Sequence, residues 1–163
     1  MKDSKDDSSC YTVFQIWGEG KTAKLQCDFS AMMSPTQYRE FIVDSLRQQA
    51  KKLDNVLYHL DGPDAIKHVD ALMEIEEIDA LQWTSGDHGP DGTLEDWYEI
   101  YDKARRAGKS LWIKVYTGTV DDWIAMWIGW YKDMVPTVCM LYFNPMSMAD
   151  AKKLMAYAEE HWK

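Results

Sequence analysis

Residues 56–62 read Val-Leu-Tyr-His-Leu-Asp-Gly and give the clearest indication of the fold. The apolar run is short and ends in an Asp-Gly turn, and Pro63 then opens a segment whose apolar residues recur at helical spacing. A buried strand followed at once by a helix is typical of a parallel β/α unit. We therefore predict a strand over Val56–Leu60 and a helix over Pro63–Met73, with Asp61 as the helix N-cap.

The same strand–helix unit recurs on both sides of this segment. The predicted strands are Tyr11–Trp17, Val56–Leu60, Ile78–Trp83, Leu111–Tyr116 and Thr137–Phe143. The predicted helices begin after the N-caps Ser34, Thr93, Thr119 and Ser147, and a long connection runs from Gly18 to Met33. About five parallel β/α units predict an α/β fold that is part of a TIM-type (β/α) barrel, which needs eight strands to close.

Length and charge restrict the function. The chain has 163 residues and a formal net charge of −9, which argues against nucleic-acid binding. It has no apolar run long enough to cross a membrane, and its three cysteines form no Cys-x-x-Cys pair, so we expect a cytoplasmic protein. We expect residues 1–10 to be a disordered leader and residues 11–163 to form one domain.

Three segments occur in a distinctive order. They are Gln15–Trp17 with Met33–Phe41, Tyr58–Gly62 with Leu81–Thr84, and Leu111–Asp121. Together they resemble the C-terminal half-barrel of the uroporphyrinogen decarboxylase superfamily, which also contains corrinoid:coenzyme M methyltransferases. The resemblance spans about Tyr11 to Trp162. No segment resembles the N-terminal half of that family, and Leu141–Asn144 lacks the histidine that usually ends the last strand.

The resemblance implies a lyase-type domain of porphyrin biosynthesis. Full-length relatives decarboxylate an acidic tetrapyrrole without a cofactor, and their N-terminal half supplies the catalytic aspartate and the substrate-binding arginines. We therefore expect a small-molecule ligand such as a tetrapyrrole, and no turnover by this chain alone. The alternatives are a zinc- and corrinoid-dependent methyltransferase half-barrel and a non-catalytic, truncated or engineered half-barrel that self-associates. The open sheet edges would be covered by a second copy or by a separate N-terminal half-barrel.

His59 and Asp61 are the candidate catalytic residues. They lie two positions apart on one strand and therefore point to the same side. His59 can transfer a proton near neutral pH, and Asp61 can orient it. The methyltransferase branch has His-x-Cys at these positions and binds zinc. The resemblance therefore implies an alternative zinc site of His59, Asp61 and Cys139, which lies roughly where that branch has its third ligand. A purely structural alternative has Asp61 capping the next helix and His59 hydrogen-bonded inside the barrel.

Five further residues are candidates for substrate binding. Gln82 and Trp83 end a predicted strand, where Trp83 forms either a pocket wall or part of the core. His88 lies in the loop Ser85–Gly92 and either reaches over the site or is solvated. Lys114 and Tyr116 share one face of a predicted strand, and Asp28 in the long connection has a weaker case.

Overall fold

A five-stranded parallel sheet is the main feature of the computed structural model, which describes residues 8–86, 92, 94–130 and 139–161. Its strands are β3 (Thr22–Gln26), β4 (Asn55–Asp61), β5 (Ala80–Thr84), β6 (Ser110–Val115) and β7 (Cys139–Phe143). They are paired in sequence order β3-β4-β5-β6-β7, and every pair is parallel. The prediction of a parallel α/β sheet is therefore confirmed.

Helices connect the strands and pack against the sheet. They are α1 (Pro35–Tyr38), a π-helical turn (Arg39–Val43), α2 (Asp44–Ala50), α3 (Val69–Met73), α4 (Tyr98–Arg106), α5 (Val120–Trp130) and α6 (Met148–His161). Short 3-10 segments precede α3 and α4, at Pro63–His68 and Glu95–Trp97. No helix in the described part of the chain is long and apolar enough to cross a membrane.

Alternation along the strands gives the sheet two different faces. One face, here called the helix face, carries residues such as Tyr58, Leu81 and Ile113, which share a single hydrophobic core with the helices. The residues between them point the opposite way. Across that second face, His59 is in register with Gln26 on one side and Gln82 on the other, and Gln82 is in register with Trp112.

The N-terminal segment differs from the prediction. The expected strand Tyr11–Trp17 is instead an antiparallel hairpin of β1 (Ser9–Tyr11) and β2 (Ile16–Gly18), joined through a 3-10 turn. Gln15 adopts a positive φ of 52° in this hairpin, which ends the apolar run as a strand. The first parallel strand is β3, inside the segment expected to be a connection. Ser9 and Cys10 lie in β1, so that part of the expected leader is ordered, whereas residues 1–7 lie outside the described residues.

Three of the expected helix caps form, at Ser34, Thr119 and Ser147, and the Asp150 N–H donates to Ser147 Oγ at 3.1 Å. Ser34 and Gln37 form a reciprocal capping box, in which the Gln37 N–H donates to Ser34 Oγ at 3.2 Å and the Ser34 N–H donates to Gln37 Oε1 at 2.9 Å. Thr119 forms the same arrangement with Asp122, and these bonds lower the pKa of the Asp122 carboxyl.

The expected cap at Asp61 is wrong. Asp61 ends β4, and the residue before the following 3-10 segment is Gly62, which makes no side-chain cap. Gly62 has a φ of 80°, a backbone conformation that favours glycine, so the Asp-Gly pair turns the chain. The side chain of Asp61 therefore lies on the second face of the sheet, the same face as His59. Thr93 lies outside the described residues.

Candidate functional site

Polar side chains collect where β4, β5 and β6 end. Asp61 is in register with Thr84, His59 with Gln82, and Lys114 follows Trp112 by two positions on the same face. Because the carboxyl ends of parallel strands lie at one edge of the sheet, these residues form a cluster. We call the set His59, Asp61, Gln82, Thr84, Lys114 and Tyr116 the rim site.

His59 is held in one orientation by Gln82. The Gln82 amide nitrogen donates to the carbonyl of Trp83 at 2.9 Å and to Thr84 Oγ1 at 2.7 Å, so the amide oxygen points at His59 Nδ1. An amide oxygen only accepts, and Nδ1 must therefore carry the proton in this bond. In the neutral ring Nε2 then has a free lone pair, and this nitrogen is the one available for proton transfer.

Asp61 lies beside Nε2 of His59. Its Oδ2 is 3.9 Å from His59 Nε2, and the Asp61 side chain is 51% exposed whereas that of His59 is only 13% exposed. When Nε2 gains a proton, the carboxylate stabilises the resulting imidazolium. The pair can thus accept a proton from a ligand at the rim and return it.

The hairpin covers part of this face. The Phe14 ring lies 5.1 Å from the His59 ring and 5.7 Å from the Trp112 ring, and Trp112 Nε1 donates to the Phe14 carbonyl at 2.9 Å. Gln15 Nε2 donates to Tyr142 Oη at 3.2 Å, and Tyr142 stacks on Trp112. These contacts form an aromatic floor beside His59, which excludes water from one side of the ring.

Two lysines bring positive charge to the same face. Lys114 Nζ lies 5.4 Å from the Tyr116 ring, and Lys24 Nζ lies 5.6 Å from the Phe14 ring. Neither lysine forms an ion pair within the described residues, unlike Lys103 or Lys153 on the helix side. Tyr116 Oη is 3.4 Å from Ser85 Oγ at the end of β5. The face therefore carries two lysines beside the carboxylate of Asp61, although the whole chain is acidic.

Other predicted residues lie elsewhere. Trp83 points to the helix face, is 1% exposed and packs 5.0 Å from Trp97, so it is a core residue and not a wall of the rim site. Asp28 lies just after β3 and accepts a hydrogen bond from Gln26. His88 is in the range 87–91, outside the described residues.

The alternative zinc site is not formed. Cys139 lines a groove with Leu154 of α6 on the helix face, whereas His59 and Asp61 lie on the opposite face. Burial also raises the pKa of the Cys139 thiol, which disfavours the thiolate that zinc requires. Among the residues that the structure describes, no three His, Cys, Asp or Glu side chains cluster in a way that could hold a metal ion.

Several residues of this face had not been predicted. Phe14, Lys24, Thr84 and Trp112 all contact or flank the rim site. Thr84 and Trp112 could have been found by alternation alone, because each lies two residues from a predicted site residue on its own strand. Phe14 and Lys24 could not, since the hairpin and β3 were not recognised.

Comparison with known proteins adds no assignment. No protein-family model matches the chain, and no curated protein is detectably similar to it in sequence.

Proposed function

We propose that the rim site binds a small anionic molecule and transfers a proton to or from it through His59. The observation that carries this proposal is the hydrogen bond from His59 to Gln82, whose own amide is fixed by Trp83 and Thr84. Such a network sets the tautomer of a histidine and leaves one nitrogen for chemistry. Lys24 and Lys114, which have no ion pair among the described residues, supply positive charge for an anionic ligand.

We further propose that the sheet is part of a barrel of the uroporphyrinogen decarboxylase type. Strands paired in sequence order are the winding of a (β/α) barrel, whereas a doubly wound sheet reverses its strand order. Five strands do not close such a ring, so further strands from another chain or another part of the polypeptide would complete it. The ligand in this proposal is a tetrapyrrole carboxylate, and the reaction is decarboxylation assisted by proton transfer.

Binding of uroporphyrin to the purified chain tests the ligand. Trp112 lies beside the rim site, so a bound porphyrin should quench tryptophan fluorescence. We expect His59→Ala and Lys114→Met each to weaken binding by about tenfold, since each removes a hydrogen bond or charge worth about 1.5 kcal/mol or more. The matched control is Lys52→Met, because Lys52 is exposed between α2 and the start of β4, at the opposite end of the strands from the rim site.

Two results would contradict the proposal. One is the absence of quenching by uroporphyrin. The other is equal affinity in the native chain, His59→Ala and Lys114→Met, which would place the porphyrin elsewhere. A separate assay with uroporphyrinogen tests whether the barrel is incomplete, because we expect no turnover until the remaining strands are supplied.

A further inference from the structure

We infer that His68 is a pH-sensitive switch: its neutral ring holds the 3-10 segment Asp28–Met32 in place, and its protonation releases that segment. Asp28–Met32, here called the switch segment, follows β3, and the 3-10 segment Pro63–His68 follows β4. Both therefore lie at the carboxyl edge of the sheet, where the rim site also lies. No rim-site residue belongs to either segment, so the inference does not depend on the proposed ligand.

Two hydrogen bonds fasten the switch segment to the segment that follows β4. His68 Nε2 donates to the Ser30 carbonyl at 2.8 Å, and Lys67 Nζ donates to the Ala31 carbonyl at 2.8 Å. The first bond is buried, because Ser30 is 4% exposed and His68 is 1% exposed, whereas the second is open to solvent. Water competes for an exposed bond, so the bond from His68 is the stronger anchor.

The switch segment buries little apolar surface. Its two large apolar side chains face solvent, with Phe29 64% exposed and Met32 79% exposed. A 3-10 segment of five residues is not stable without tertiary contacts. Loss of the His68 anchor should therefore release the segment while the core of the sheet stays folded.

The core fixes the other side of the His68 ring. Tyr38 stacks on this ring with the two centroids 4.1 Å apart, and Tyr38 is fully buried. The Tyr38 hydroxyl lies 3.0 Å from that of Tyr58, a second buried residue, which holds the Tyr38 ring in place. The switch segment is therefore the side that can move away and let water reach the imidazole.

Protonation gives the imidazole a charge that this buried site does not accommodate. Nδ1 of His68 is buried and has no hydrogen-bond partner among the described residues, so a proton there adds an unpaired N–H. Burial lowers the pKa of His68, the bond to Ser30 opposes this only in part, and the positive charge of Lys67 adds to the lowering. The charged ring reaches water when the switch segment moves away, so low pH favours the released state.

Neighbouring titratable groups do not supply a compensating negative charge. Burial raises the pKa of Tyr38, of Cys27 and of Tyr58, the last to about 12, so these groups are uncharged near neutral pH. Two acids close in the chain bind other side chains, Asp28 that of Gln26 and Asp70 that of Lys103. In the described part of the chain, no carboxylate forms an ion pair with His68.

Release of the switch segment changes the edge of the sheet beside the rim site. Asp28, the first residue of the segment, accepts a hydrogen bond from Gln26, and Gln26 is in register with His59. A released segment no longer holds Asp28 beside the end of β3. The pH therefore controls how well this part of the edge is ordered.

Amide hydrogen exchange, followed by NMR between about pH 5.5 and about pH 7.5, tests the switch. The reporters are the Ser30 and Met33 amides, whose N–H groups donate to the Cys27 and Ser30 carbonyls at 3.0 Å. After correction for the intrinsic exchange rate at each pH, we expect their opening constant to rise by up to about tenfold per pH unit below about pH 6.5. It should exceed the opening constant of the Leu60 amide in β4 at every pH, because release leaves the core folded.

His68→Gln is the specific variant, because a Gln side chain has an N–H donor for Ser30 but does not titrate. Its opening constant should be nearly independent of pH in this range. The matched control His161→Gln, at the exposed end of α6, should keep the native dependence. Titration of the His68 imidazole in the native chain is a second measurement, and it should follow the opening of the segment.

Three results would overturn the inference. The first is an opening constant of the Ser30 and Met33 amides that does not change with pH in the native chain. The second is a native pH dependence that persists in His68→Gln. The third is an opening constant equal to that of the Leu60 amide, since the switch segment would then open only with the whole protein.

Discussion

At the scale of single residues, the tautomer of His59 depends on Gln82. The structure requires a proton on Nδ1, because the Gln82 oxygen can only accept. We therefore predict that the neutral ring of His59 shows an N–H at Nδ1 in a long-range ¹H–¹⁵N spectrum. Gln82→Met keeps the volume but removes the acceptor, and this variant should show a mixture of both tautomers. A native spectrum with the proton on Nε2 would contradict the proposed role of that nitrogen.

His68 predicts a dependence of stability on pH. Its Nε2 donates to the Ser30 carbonyl at 2.8 Å, its ring stacks on Tyr38, and its buried Nδ1 has no partner in the described residues. Burial lowers the pKa of His68, with a smaller contribution from Lys67, and the bond to Ser30 only partly opposes this. A charged ring would place an N–H of Nδ1 against apolar surroundings.

The sign of the effect follows from proton binding. In the unfolded chain the pKa of His68 is about 6.5, whereas in the folded chain His68 gains its proton only at lower pH. The free energy of unfolding should therefore fall as pH drops below that value, by at most about 1.4 kcal/mol per pH unit from this group. Urea unfolding across this range measures the slope, and His68→Gln should reduce it. An identical slope in both proteins would remove His68 as the cause.

The sequence predicts correctly that several candidate residues share one face of the sheet, and it misplaces one for an identifiable reason. His59 and Asp61 share a face as expected, and Gln82, Lys114 and Tyr116 lie with them. Trp83 does not, because neighbouring strand residues point to opposite faces and the register pairs Gln82 with His59. Gln82 is a polar residue between the apolar Leu81 and Trp83, and this alternation already indicates that Trp83 points to the other face. Alternation is therefore a better predictor of orientation than position at the end of a strand.

At the scale of elements, the capping box at Ser34 sets the start of α1. We predict that Ser34→Ala lowers the free energy of unfolding by about 1 kcal/mol, because it removes the acceptor for the Gln37 N–H. Denaturant unfolding measures the loss. Ser34→Thr keeps the acceptor and should cost less, and Ser45→Ala, an exposed change within α2, should cost almost nothing. Equal losses in Ser34→Ala and Ser45→Ala would show that the cap contributes nothing.

The hairpin and β3 could not be derived from local pattern. Tyr11–Trp17 is an apolar run of strand-forming residues, yet the chain turns at Gln15. The turn lets the Phe14 side chain pack against the His59 ring on the second face of the sheet. β3 is a five-residue strand, and every one of its residues is only partly buried. Its pairing with β4 is decided by long-range contacts, which a local periodicity does not reveal.

At the scale of the whole molecule, the two faces of one sheet differ in composition. The helix face holds a single apolar core. The second face carries the hairpin, Lys24, Lys114 and the His59 network at the carboxyl ends of the strands.

Amide hydrogen exchange during titration with uroporphyrin tests this division most directly. We predict slower amide exchange at the ends of β4, β5 and β6 and in the hairpin Ser9–Gly18. Exchange in α2 should be the same with and without the porphyrin. The reason is that a ligand at the rim site contacts only the second face. Protection confined to the helices, or an exchange pattern that does not respond to the porphyrin, would contradict the account.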